Sequence, residues 1–154
     1  MEKVTNIDLE EKVGEILCQL GVPTHIEGYQ YLRTAILLTV QDSDIISFMA
    51  EKLYPFVAKE YHVTANGVKS AVRHAIEVAW DRGDAEMRNG YFGYIIQNNL
   101  KMPSNSEFIA MIADNLRLKY KLYWKVAEHQ QTLEFENTHF ASTIATRYYL
   151  DTNI

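Results

Sequence analysis

The chain has one cysteine, Cys18, in 154 residues, so an internal disulfide is excluded, and no Cys/His set has the spacing of a zinc site. No apolar run approaches the roughly 20 residues that span a bilayer. The N-terminal stretch MEKVTNIDLEEKV lacks the basic-then-apolar layout of a signal peptide. A soluble protein of the reducing cytoplasm is expected. Positive charge is also short: 15 Lys and Arg stand against 20 Asp and Glu, a formal net charge of −5. That argues against coating nucleic acid non-specifically, which depends on many cations neutralising phosphates, but it allows a specific reader with one local basic face. No HExxH, GxSxG or phosphate loop occurs, and the acidic residues form no recognisable catalytic pair. An enzyme is not expected, nor any cofactor or metal, and DRGD at 81–84 reads as a helix end. Internal repeats and low-complexity tracts are absent too.

What remains is enough for a core of ordinary size, since 47% of the residues are hydrophobic. Asp8 can cap a helix running to about Leu20, with Val13, Ile16, Leu17 and Leu20 inside, Cys18 as a packing residue beside them and Gly21 as the stop. A second helix is expected from about Gly28 to Val40, with Tyr29, Leu32, Ile36 and Leu37 on its apolar side. Asp42 or Ser43 starts a third, through Ile45, Ile46, Phe48, Met49 and Leu53. Residues 84–103 carry Gly90, Gly93 and Pro103 and suggest a short helix and an ordered loop. Ser104 or Asn105 caps a final helix with Phe108, Ile109, Ile112, Ala113 and Leu116 inside, and Glu107 stands where a capping box places it. The expectation is an all-α bundle of about six helices over residues 1–121. Residues 122–154 form an aromatic-rich C-terminal extension, in which TLEFENTHF alternates somewhat like a strand. Docking on the domain or on a second copy of the chain fits that composition better than disorder.

Residues 54–82 carry the functional signal. Pro55 to Tyr61 reads as a helix with Phe56, Val57 and Tyr61 facing inward, and Pro55 suits a first-turn position. His62 and Val63 make a tight connection, Thr64 is an N-cap, and Gly83 is a C′ stop for the next helix. At about 100° per residue, Val68, Ala71, Val72, Ala75, Ile76 and Ala79 share one apolar sector. Asn66, Lys69, Ser70, Arg73, His74 and Glu77 fall opposite. Short polar and cationic groups toward the N-terminal half suit a recognition helix entering the major groove of double-stranded DNA. Two packed helices with a solvated face is the competing reading.

Three blocks then carry a resemblance: GVPTHIEGYQYLR (21–33), LYPFVAKEYHVTANGVKSAVRHAIEVAWDRG (53–83) and PSNSEFIAMIADNLRLKYK (103–121). The chain from about Val13 to Lys121 resembles the C-terminal effector domain of Spo0A, a response regulator that controls sporulation. That resemblance implies a six-helix transcription factor binding short operator boxes, often in tandem, and repressing or recruiting RNA polymerase through its sigma subunit. In the family the effector domain follows a phosphorylatable receiver domain; here the chain begins almost directly at the effector domain, which is expected of either a fragment or a stand-alone protein, and the unfamiliar segment after Lys121 favours the second.

Carried over by resemblance, Arg73 and His74 match the family's Arg-His pair on the recognition helix, which gives Arg73 a phosphate or a guanine edge to bond and His74 a phosphate to donate to. Tyr91, Phe92 and Tyr94 fall where the family is associated with the sigma subunit, unless Phe92 and Tyr94 merely close the core. Lys121 matches a basic residue near DNA phosphate. One stretch departs: the family's Ser-Arg-Val-Glu-Arg is here Asn66, Gly67, Val68, Lys69 and Ser70. An arginine reading guanine bidentately contributes about 1–3 kcal/mol of discrimination, and neither Gly67 nor Ser70 has the fork. A changed operator preference is therefore expected. The alternative is an interaction module or decoy that pairs with a full-length regulator or with polymerase without specific DNA binding. A homodimer through the extension is a further expectation.

Overall fold

The computed structural model describes residues 6–99 and 102–120. Helices α1 (Asn6–Gln19), α2 (Glu27–Gln41), α3 (Tyr54–Tyr61), α4 (Ala65–Arg82), α5 (Ala85–Asn99) and α6 (Asn105–Tyr120) make the domain, with no strand among the described residues. The extension 122–154 lies outside the described residues.

α2 is the hub. Residues all round it are buried, including Tyr31, Leu32, Ala35, Ile36, Leu37, Leu38 and Val40, as a helix surrounded by others requires. It packs against α1, α3, α4 and α6. Its buried hydroxyls are paired: Thr39 Oγ1 donates to the Ala35 carbonyl at 2.8 Å, and Thr34 Oγ1 lies 2.7 Å from the Tyr61 hydroxyl. α4 can approach α2 closely because Gly28 has no side chain; a Cβ there would stand 2.4 Å from the Ala71 carbonyl oxygen.

α1 begins at Asn6, so Asp8 lies in its first turn, where a carboxylate favours the positive helix end, and does not itself cap it. Gly21, at φ 98°, ends α1 as expected. Val22 N donates to Leu17 O and Gly21 N to Cys18 O, the paired bonds of a Schellman stop. Cys18, expected among the packing residues, is exposed, because Leu9, Val13, Ile16, Leu17 and Leu20 already fill the inner face.

The expected third helix is a 3₁₀ turn, Ser43–Phe48, followed by a π-type turn, Met49–Leu53. Asp42 caps the first by accepting from Asp44 N. Phe48, within this segment, is exposed and lies under the Lys52 ammonium.

Residues 85–99 correct the expectation of a short helix and loop: they form one continuous helix, α5. Gly90 and Gly93 weaken it without breaking it, since each costs only about 1 kcal/mol against alanine. Arg88 secures its start, donating to the Trp80 carbonyl and lying over the Trp80 ring. The capping box of α6 is present: Ser104 N donates to Glu107 Oε1 at 2.9 Å, and Glu107 N to Ser104 Oγ at 3.2 Å.

Candidate nucleic-acid interface

α3 and α4 are joined by a turn whose local chemistry is complete. His62 adopts φ 57°, ψ 46°, the left-handed conformation that closes α3, and Val63 N donates back to Ala58 O at 2.9 Å. Thr64 then opens α4, its hydroxyl accepting from Gly67 N at 3.0 Å. At the far end Gly83 terminates α4, but its φ of −69° is not the left-handed stop expected of it. Glycine is needed there for contact, because a Cβ would stand 2.2 Å from the Leu20 carbonyl oxygen at the end of α1.

The inner face of α4 is buried through Val68, Val72, Ala75, Ile76 and Ala79. Opposite it, Asn66, Lys69, Ser70, His74 and Glu77 are exposed. Arg73 differs from its neighbours. Its guanidinium is half-buried and turned toward α6, where Nη2 donates to the Pro103 carbonyl at 3.1 Å, while Nε is buried without a partner. Arg73 Cα sits on the outer stripe, yet its long side chain reaches back over the helix to the Pro103 carbonyl at the entry to α6.

Asn66, Lys69, Ser70 and Arg73 line one side of an open cleft of about 820 Å³, with Tyr54 and the first turn of α6 opposite. Among the described residues no carboxylate lines it, and Lys69, Arg73 and the positive ends of α4 and α6 contribute positive potential there. At its base lies a residue that periodicity gave no reason to single out. Asn105, 9% exposed, donates through Nδ2 to the Tyr54 hydroxyl at 3.0 Å and to the Lys69 main-chain carbonyl at 3.2 Å. Its one signal in the sequence was its place as the alternative to Ser104 for the cap of α6, a role that Ser104 fills. Burial pushes the Tyr54 hydroxyl above its ordinary pKa, opposed by the Asn105 N–H and the Arg73 cation.

The aromatic group expected to meet polymerase is divided. Phe92 is fully buried, stacked on Phe108 with ring centroids 5.1 Å apart and set edge-on to Trp80 at 5.6 Å. It closes the core over α6 and offers no surface to a partner. Tyr91 is half-buried against Phe92. The side chain of Tyr94 and the whole of Lys121 lie outside the described residues. Among the described residues, no helix is long and apolar enough to cross a membrane.

A short turn with His62 in the left-handed conformation joins two helices of an all-α domain, the second with a buried apolar face and an exposed polar one. Within that all-α class, residues 13–116 match the family model described as sporulation initiation factor Spo0A C terminal. The chain belongs to that family, and this domain is the DNA-binding effector domain of a sporulation regulator.

Proposed function

We propose that this chain is a sequence-specific transcriptional regulator whose helix α4 enters the major groove of its operator. The observation that carries this reading is the row Asn66, Lys69, Ser70 and His74, all exposed on the outer face of α4, beginning at its capped N-terminus. Lys69 supplies a cation to phosphate or to a guanine acceptor, His74 can donate to phosphate even when neutral, and Asn66 and Ser70 reach base edges as donors or acceptors.

The operator differs from the one read by relatives carrying Arg-Val-Glu-Arg in this stretch. With Gly67 and Ser70 in place of two arginines, and Arg73 bonded inward, the described reading face has no free guanidinium fork. Discrimination therefore rests on single hydrogen bonds and on shape, with a larger share of the affinity from phosphate contact. The setting is the cytoplasm, residues 1–121 act as the effector domain and 122–154 as an extension, and RNA polymerase and a second copy of the chain are the protein partners. Tyr91 is the described aromatic left to meet polymerase, and Lys121 adds a phosphate contact.

The test is selection of bound sequences from a random duplex pool, followed by titration of the winner and a scrambled duplex across a range of salt. A consensus bound at least tenfold tighter than scrambled DNA is expected, with Lys69→Glu moving the consensus toward that of the Arg-Val-Glu-Arg relatives. Equal affinity for both duplexes at every salt concentration would refute the reading. The inward Arg73 favours a second reading, an interaction module that pairs with a full-length regulator. Equal affinities together with capture of such a regulator would establish it.

A further inference from the structure

Two hydrogen bonds cross between α4 and the start of α6, in opposite directions and within one turn of α4. Arg73 of α4 donates to the carbonyl of Pro103 at 3.1 Å, and Asn105 of α6 donates to the carbonyl of Lys69 at 3.2 Å. Stability gives little reason for the second. A carbonyl inside an α-helix already accepts the amide four residues on, so Lys69 O did not need Asn105. Asn105 is left with Oδ1 buried and without a partner, a desolvation cost that an apolar residue of similar shape would avoid.

What the pair does supply is geometry. Turning α4 about its axis by even a fraction of the roughly 100° between successive residues would carry Lys69 O away from Asn105 and Arg73 away from Pro103 together. The turn so held, residues 69 to 73, includes Lys69 and Ser70, and Asn66 lies one turn before it on the same face. Buried polar links that contribute little net stability are best attested as devices that fix one arrangement among several of similar energy.

We infer that Asn105 is a positioning residue for sequence reading: from the base of the cleft, without touching DNA, it fixes the rotation of the recognition helix and so determines which base edges Asn66, Lys69 and Ser70 meet. This rests on the proposed reading by α4. Its consequence is a separation of two quantities that a merely structural residue would move together. Loss of the Asn105 link blurs base discrimination, while phosphate attraction, which tolerates small rotations, persists.

The experiment uses the full chain. Asn105→Ala and Tyr54→Phe are compared with the unaltered protein by pool selection, by titration of the selected and scrambled duplexes, and by circular dichroism to confirm folding. For Asn105→Ala the ratio of selected to scrambled affinity is expected to fall about tenfold, with scrambled affinity and the salt dependence of log K unchanged. Tyr54→Phe leaves Asn105 bonded to Lys69 and removes its other acceptor, so the same ratio falls less, by about two- to threefold. If Asn105→Ala does not fold, Tyr54→Phe decides alone, and an unchanged ratio there overturns the inference. Equal losses on both duplexes, or a retained ratio in folded Asn105→Ala, overturn it as well. A lack of preference in the unaltered protein overturns the reading by α4 itself, and with it this inference, so the two failures are distinct.

Discussion

Arg73 Nη2 donates to the carbonyl of Pro103 at 3.1 Å, thirty residues along the chain, from the helix face that a helical wheel assigns to DNA. The bond joins α4 to the entry of α6 and turns the guanidinium toward it. Charge alone would count Arg73 among the phosphate contacts; geometry counts it among the supports.

Replacing Arg73 separates those roles. Arg73→Ala is expected to lower stability by about 1–2 kcal/mol, the usual scale for losing a hydrogen bond made by a charged donor, offset in part by removing its unpaired Nε. The slope of log K against log salt should stay the same, whereas loss of a true phosphate contact lowers it by about one. Thermal melts and a salt series on one preparation measure both, and a slope reduced by one would place Arg73 on the DNA.

Two glycines should respond in opposite directions. Gly28→Ala drives a Cβ to within 2.4 Å of the Ala71 carbonyl and 2.6 Å of the Ala75 side chain, pushing α2 away from α4. A loss of about 1–3 kcal/mol is expected, the range for overpacking a filled core. Gly90→Ala meets nothing within 4 Å and removes a flexible residue from the middle of α5. A gain of about 0.5–1 kcal/mol is expected there. Denaturant unfolding of the two variants checks both signs.

The contrast between these glycines shows which parts of the fold were legible in the order of residues. Thr64, and Ser104 with Glu107, announce their helix starts because a cap bond spans only three residues, and the alternation of Val68, Val72, Ala75 and Ile76 announces the buried face of α4. Gly83 announces a stop but not its reason, which is a carbonyl of α1 some sixty residues away. Gly90 and Gly93 suggested a loop because their cost is local, while the burial of Phe92 against Phe108 and Trp80 that holds α5 in place is not. At the site, exposure of Asn66, Lys69, Ser70 and His74 followed from periodicity. The inward turn of Arg73 and the buried Asn105 did not, since each depends on a carbonyl or hydroxyl brought from another helix.

Alkaline pH should destabilise the domain, with Tyr54 as one identifiable contributor. Burial raises its pKa above the ordinary value near 10, as it does for Tyr29, Tyr31 and Tyr91. The unfolded chain therefore loses the phenolic proton first. Stability from keeping Tyr54 neutral is fully present below about pH 10 and is lost as pH rises through its folded pKa. Denaturant titrations from pH 8 to 11 should show a decline that is shallower for Tyr54→Phe. Parallel curves would mean that Tyr54 ionises as freely in the folded protein as in the unfolded one.

His62 is the described non-glycine residue with positive φ, and it sits in the turn that aims α4. A side chain with a Cβ pays roughly 1 kcal/mol to hold the left-handed conformation, and a β-branched one pays more. Glycine adopts the same dihedrals without strain, at the cost of extra freedom in the unfolded chain. His62→Gly should therefore be neutral or stabilising by up to about 1 kcal/mol, with DNA affinity retained. His62→Val should lose about 1–2 kcal/mol, and because Val63 N and the Thr64 cap lie immediately after the strained residue, its effect should reach the N-terminal turn of α4. Amide hydrogen exchange gives the decisive reading: faster exchange at residues 65–69 in His62→Val, with the rest of α4 protected, is expected of a turn that sets the angle of α4. Uniform loss of protection would assign His62 to global stability alone.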